Sequence, residues 1–306
     1  MSQAEIYGVT RRDSDFTSHG TRCSGWLYLP PGAAPPPVVV MAHGFAAEKT
    51  FRLPAFAQRF AAEGMAVFLF DYRCFGGSDG QPRNLVDPRR HVQDWEAAIS
   101  HVRTLPGIDH RRMALWGVSF SGGHVMVVAS RDPGISAIVS QVPFVDSLPV
   151  LRRIGAGQFL RGTIAAQRDL LRMIAGRRPC CMPVVGDPGS MACLTAPGFK
   201  EGYLSIVPEG SGWKNECPAR IGFTLPAYRP ISSARRVTCP ALIVLGETDS
   251  LISPASVEKA ASAMARAELV RLPVGHFEPY TGEWFEITVD LEARFLKEHL
   301  QARRPR

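Results

Sequence analysis

Short apolar runs alternate with stretches of helical periodicity along this chain, and that alternation restricts the fold more than any other feature. Runs rich in Val, Ile and Leu occupy 37–41, 66–70, 113–116, 137–141, 241–245 and 268–272, and they read as buried parallel strands. Between them, Val92, Trp95, Ile99 and Val102 repeat at helical spacing behind Asp87-Pro88, a capping residue followed by a proline suited to a first helical turn. Helical patterns also cover 52–63, 121–130, 254–265 and 285–300. Strand and helix in alternation predict an α/β fold, a mostly parallel central sheet with helices on both faces. Segments 6–9 and 23–29 are expected to form an antiparallel pair at its start.

The alternation breaks over 146–237. A helix is expected at 160–174, followed by the Gly-, Pro- and Cys-rich stretch CCMPVVGDPGSMACLTAPG, and the pattern resumes only at Ala241. Because this stretch separates two strands of one sheet, it is expected to be an inserted cap over the strand C-termini, where ligands bind in open α/β sheets. The parent domain is then 1–145 together with 238–306.

Composition removes several classes of function. A chain of 306 residues with 45% hydrophobic content is long enough to bury about 75% of its unfolded surface, so disorder, coiled coil and collagen are excluded. The net charge of +7 is spread over scattered pairs such as Arg89-Arg90 and Arg111-Arg112, which reads as solvated surface, with no nucleic-acid partner. The polar start and the lack of any run near the roughly 18 apolar residues of a spanning helix predict no membrane partner and a cytoplasmic protein. Seven cysteines, an odd number in a large chain, fit a reducing compartment better than a disulfide framework. Cys180-Cys181 lacks a second pair or a histidine at ligand spacing and is read as structural, with no metal.

The strongest local signal is LWGVSFSGGH at 115–124, a strand passing directly into a helix. A serine on so sharp a turn projects its hydroxyl above the sheet, which makes Ser119 the candidate nucleophile, with Gly117 and Gly122 giving room for the close backbones. Ser121 fills the usual second glycine position and is read as a capping residue.

A serine hydroxyl needs a base, and the base needs an orienting carboxylate. His276, after the last expected strand, is the candidate base, and Asp249, after ALIVLG, the candidate acid, with Glu247 in reserve. Ser253 before Pro254 is read as the cap of the following helix. His19, His91, His101, His110, His124 and His299 are read as residues of surface loops or helices without a base role. The backbone N–H groups of Phe45, in His43-Gly44-Phe45, and of Phe120 are the expected donors to a developing oxyanion.

These motifs, with DYRCFGGSDG at 71–80, resemble the α/β-hydrolase superfamily of serine hydrolases. GVSFSGGH, SQVPF and Gly212-Trp213-Lys214-Asn215-Glu216 resemble its dienelactone hydrolase, X-Pro dipeptidyl-peptidase and fungal polyketide transferase group. The resemblance implies an α/β-hydrolase fold and a serine esterase acting through an acyl-enzyme on a small to medium soluble ester or thioester, with no cofactor. It leaves open acyl transfer, amide or peptide hydrolysis, a ligand receptor on the same fold, and homo-oligomerisation. Ser119 disfavours the aspartate-dependent epoxide hydrolase and dehalogenase chemistries of this fold. Aromatic and aliphatic residues of the cap (Phe159, Leu160, Ile164, Tyr203, Trp213, Phe223, Tyr228) are expected to roof an apolar acyl pocket.

Overall fold

The computed structural model describes residues 8–32 and 34–301. Eight strands form one sheet. They are β1 (Thr10–Asp13), β2 (Gly25–Leu29), β3 (Pro37–Ala42), β4 (Ala66–Phe70), β5 (Asp109–Val118), β6 (Ile135–Gln141), β7 (Ala241–Gly246) and β8 (Ala267–Leu272). Their order across the sheet is β1-β2-β4-β3-β5-β6-β7-β8. β3 to β8 run parallel, and β1 and β2 add an antiparallel edge.

Eight helices are labelled in chain order: α1 (Leu53–Ala62), α2 (Pro88–Val102), α3 (Phe120–Ala129), α4 (Ser147–Arg153), α5 (Ala156–Ile174), α6 (Phe199–Ser205), α7 (Pro254–Ala263) and α8 (Gly282–Gln301). Residues of β3, β4, β6 and β7 are buried throughout, as the uninterrupted apolar sequences of β3, β4 and β7 require. Trp116 of β5 stands in register with Met41, and Met41 with Leu69, one residue out of step with Phe70. The Trp116 and Phe70 rings therefore lie on opposite faces of the sheet. Trp116 meets Phe56 of α1 at 5.1 Å, and Phe56 meets Phe285 of α8 at 4.8 Å. Phe70 meets Trp95 of α2 at 5.2 Å on the other face. Asp87 caps α2 as expected, its side chain accepting the N–H groups of Arg89 and Arg90.

Four expectations need correction. The last strand, β8, is not buried: it lies at the edge of the sheet and only its Leu272 is buried. The partner of β2 is Thr10–Asp13; residues 6 and 7 lie outside the described residues, and Gly8 and Val9 are not in a strand. The run expected as one strand over 23–29 breaks at Ser24, because Thr21–Cys23 turns back on Phe16–Ser18 as a small hairpin. Ser253 occupies the N-cap of α7 without a capping hydrogen bond from its side chain.

The segment between β6 and β7 holds α4, α5 and α6, two very short strands that pair with each other (Cys181–Met182 and Cys217–Pro218), and several single turns. Its long helix begins at Ala156, four residues before the expected start, behind Gly155.

Candidate active site

Ser119 lies between β5 and α3 with φ 56° and ψ −118°, a backbone conformation that costs a residue with a Cβ and persists only where its surroundings fix it. Here the Ser119 N–H donates to Gln141 O at 2.9 Å, and the Phe144 N–H donates to Ser119 O at 2.9 Å. A Cβ on Gly117 would lie 2.4 Å from Ser121 O, so strand and helix can approach this closely only with glycine there. Ser121 is not the capping residue it resembled. It lies inside α3, with its hydroxyl 2.9 Å from Tyr72 Oη, which in turn accepts Trp95 Nε1–H at 3.0 Å.

The Ser119 hydroxyl is 2.9 Å from His276 Nε2, and His276 Nδ1 is 2.5 Å from Asp249 Oδ2. The other Asp249 oxygen accepts the N–H groups of Leu251 at 2.8 Å and Ile252 at 2.9 Å. Burial pushes the Asp249 carboxyl up, but the charge and hydrogen bond of His276 and the two backbone amides outweigh it and hold the group below its ordinary value. Ionised Asp249 only accepts, so Nδ1 carries the imidazole hydrogen and the lone pair of Nε2 faces Ser119. Glu247 is exposed, and Asp249 is the carboxylate that meets His276.

The loop after β3 crosses close to the elbow. Phe45 lines a space shared with Ser119 and His276, and its ring packs edge-on against Phe120 at 5.4 Å. Asp71 fixes the far end of this loop from below. Its carboxylate accepts Lys49 N–H at 2.6 Å, Lys49 Nζ at 2.7 Å and Gly77 N–H at 3.0 Å. His43 Nδ1 donates to Gly44 O at 3.0 Å, and burial lowers its imidazole to about 4, so it stays neutral.

Two histidines assigned no special place are buried beneath the elbow. His124 Nδ1 is 2.5 Å from Tyr228 Oη, and its Nε2 is 3.3 Å from His91 Nδ1. Burial, with the nearby His43, lowers His124 to about 3. Phe120 is boxed by His124 at 4.7 Å, Tyr228 at 5.3 Å and Phe144 at 5.5 Å. Only the spacing from Ser119 to His124, one and a half turns along the same helix, could have signalled this from sequence.

Three spaces meet at the site. About 20 Å³, room for a water-sized group, lies against Ser119, His276, Phe45, Phe199 and Tyr203. Beyond Phe45 is an apolar chamber of about 310 Å³, bordered by Val150, Phe159, Met182, Met191, Ile221 and Leu225. An open space of about 360 Å³ is bordered by His276, Thr248, Ser250, Glu278 and Thr281, and it shares Pro197 and Ser250 with the chamber. Of the residues expected to roof an acyl pocket, Phe159 borders the chamber but is itself exposed, as are Leu160, Ile164 and Phe223. Tyr203, Trp213 and Tyr228 pack around the loop after β3 and around Phe120.

Among the described residues, no group of three or more His, Cys, Asp or Glu side chains is placed to hold a metal ion, and no helix is long and apolar enough to cross a membrane.

A strained serine at a strand-to-helix turn, followed along the chain by an acid and a histidine that meet it, defines a class of hydrolase, and comparison with known proteins agrees. Residues 33–169 match the family described as "Serine aminopeptidase, S33", and residues 207–286 match "Serine hydrolase (FSH1)". The quorum-quenching protein AidA of Acinetobacter baumannii is 38% identical over 285 residues, covering 93% of this chain and 94% of that protein. The polyketide transferase af380 of Aspergillus fumigatus is 28% identical, covering 95% and 99%. Among solved structures, DcsB in complex with its substrate analogue superposes with a TM-score of 0.83 at 24% identity, covering 95% of this chain and 100% of that one. The chain belongs to the α/β-hydrolase superfamily of serine hydrolases, and the polyketide transferases are among the proteins it is similar to. Its chemistry is that of hydrolysis or acyl transfer.

Proposed function

We propose that this protein is a carboxylic ester or thioester hydrolase in which Ser119, His276 and Asp249 form and break an acyl-enzyme. The observation that carries this reading is the unbroken hydrogen-bonded path from Ser119 Oγ through the imidazole to Asp249. His276 Nε2 takes the hydroxyl proton as Oγ attacks the acyl carbon, and Asp249 stabilises the imidazolium. The backbone N–H groups of Phe45 and Phe120 receive the oxyanion. Collapse of the tetrahedral intermediate expels the alcohol or thiol, which takes the proton from His276, and water then repeats the sequence on the acyl-enzyme.

In this reading the 146–237 insertion is a cap. The apolar chamber beside Phe45 takes the acyl part of a small to medium soluble substrate, and the open space beside His276 takes the leaving group. That open space also supports a second reading, acyl transfer, because an acceptor larger than water fits there. The odd cysteine count supports a cytoplasmic protein.

A fluorophosphonate probe should label Ser119, and Ser119→Ala should abolish labelling and lower kcat on p-nitrophenyl esters by roughly 10⁴-fold while leaving the fold intact. A panel of acyl esters, thioesters, lactones and aminoacyl amides, with and without alcohol acceptors, then separates substrate class and transfer from hydrolysis. Label on Ser121 would overturn the nucleophile. Strong turnover of emulsified triolein, rising above its solubility limit, would overturn the cap.

A further inference from the structure

The loop that carries the Phe45 N–H leaves β3 and bends through Ala46, whose φ is 52°. The carbonyls just past that N–H are held by side chains of the insertion. Tyr203 Oη–H donates to Phe45 O at 2.9 Å, and Trp213 Nε1–H donates to Ala46 O at 2.9 Å. Burial pushes the Tyr203 phenol well above its usual value, so it remains a donor.

The two rings pack on each other at 5.4 Å, and Phe51, at the other end of the same loop, closes on Trp213 at 5.8 Å. α6, which carries Tyr203, also reaches the base. A Cβ on Gly202 would lie 2.3 Å from the Phe277 ring, so the helix rests directly on the residue after His276. Phe199, at the start of the same helix, covers the His276 ring at 4.8 Å. Neither Tyr203 nor Trp213 borders the apolar chamber.

We propose that Tyr203 and Trp213 are positioning residues for the reaction: they hold the peptide groups after Phe45 so that its N–H stays aimed at the oxyanion. The insertion would then act on the transition state as well as enclosing the substrate. This rests on the serine hydrolase reading above. An oxyanion donor is worth roughly 10²–10³ in rate and depends on placement to a few tenths of an ångström. Loss of one anchor should cost part of that factor. Tyr203 borders the small space against Ser119, but Tyr203→Phe keeps its ring there and the acyl chamber is untouched, so ground-state binding should not change.

The test uses Tyr203→Phe and Trp213→Phe in the full chain, with Leu204→Ser, an exposed neighbour on α6, as control. On the best ester of the wild type, each aromatic variant should lower kcat by about 10- to 100-fold with KM within about threefold. The Ki of phenylboronic acid, which forms a tetrahedral adduct on a nucleophilic serine, should rise by the same factor. The double variant should fall short of the product of the single losses, since both anchors act on one loop. Tyr203→Phe keeps every ring contact, so it carries the test even where Trp213→Phe loosens the insertion. An active wild type whose Tyr203→Phe variant keeps its kcat, or loses activity through KM with an unchanged boronic acid Ki, overturns this role alone. A wild type that neither turns over esters nor takes the fluorophosphonate overturns the hydrolase reading and this role with it.

Discussion

The parent sheet and the insertion are held together by different physics. In the sheet domain whole strands are buried, and rings such as Trp116, Phe56 and Phe60 are fully enclosed. In α5, by contrast, only Ala166 and Asp169 are buried, and Leu171 and Ile174 are 66% and 73% exposed. The insertion buries its own apolar residues, among them Val184, Val185, Phe199 and Ile221, where it meets the sheet domain, but around α5 it is stitched by polar side chains reaching backbone. Asp169 accepts the N–H groups of Cys180 at 2.8 Å and Arg220 at 3.0 Å, together with Arg220 Nε at 2.6 Å. Asn215 bonds both backbone groups of Val185, and Asn84, from the parent domain, donates to Glu216 O at 3.0 Å. Burial is non-directional and tolerates small shifts. Hydrogen bonds to single carbonyls fix position without adding much stability. A region built the second way can set the geometry of a site while contributing little to the stability of the whole.

The largest effect that would sharpen this contrast lies in the sheet domain. Lys49→Met leaves the Asp71 carboxylate buried without its cation, and loss of one partner of a buried pair costs about 3–5 kcal/mol. Urea unfolding should show that loss. A change under about 1 kcal/mol would mean that Asp71 is satisfied by backbone amides alone and that the contrast is weaker than drawn.

Next in size is a pH effect confined to the core. Glu292 of α8 accepts Trp116 Nε1–H at 2.8 Å through one oxygen, the other has no partner among the described residues, and burial pushes the carboxyl from 4.5 up to about 8. The unfolded chain therefore releases this proton at lower pH than the folded one. The stability associated with protonated Glu292 is fully present below about pH 4.5 and is lost as pH rises toward about 8. The slope is at most about 1.4 kcal/mol per pH unit. Glu292→Gln, which stays neutral, should flatten this part of the profile measured by denaturant unfolding from pH 5 to 8. An unchanged slope would assign it to other groups.

The smallest expected effect is in the insertion. Leu171→Ser removes an apolar side chain that already faces water, so stability should change by no more than about 0.5 kcal/mol. A drop of several degrees in Tm would show that this face is covered in solution and would break the comparison.

The same division decides what could be read from sequence. The buried strands were legible because a strand covered on both faces needs an unbroken apolar run, as in PVVVMA and ALIVLG. Ser119 and Asp249 were legible because each follows such a run at its C-terminal end, and His276 because it follows the last strand-like segment, AELVRL. The break at Ser24 was not, because it depends on pairing with residues 16–18 rather than on local pattern. Nor were the exposed positions of Leu160, Ile164 and Phe223: apolar composition does not say which face of a helix meets the core when the supporting surface is irregular. Tyr203 and Trp213 drew attention as large rings, yet their role rests on one N–H and one O–H reaching carbonyls more than 150 residues earlier in the chain.

The order of the strands also sets a timetable. The loop carrying Phe45 and the turn carrying Ser119 are synthesised with β3, β5 and α3, but their anchors at Gln141, Phe144, Tyr203 and Trp213 come later, and Asp249 and His276 arrive only with β7 and β8, after the whole insertion. Until β8 has joined the sheet, the chain holds a serine with no base beside it. Under the proposed mechanism, reactivity toward acyl groups would switch on only when the far edge of the sheet is in place, and labelling of Ser119 would report that β8 and His276 have joined the fold.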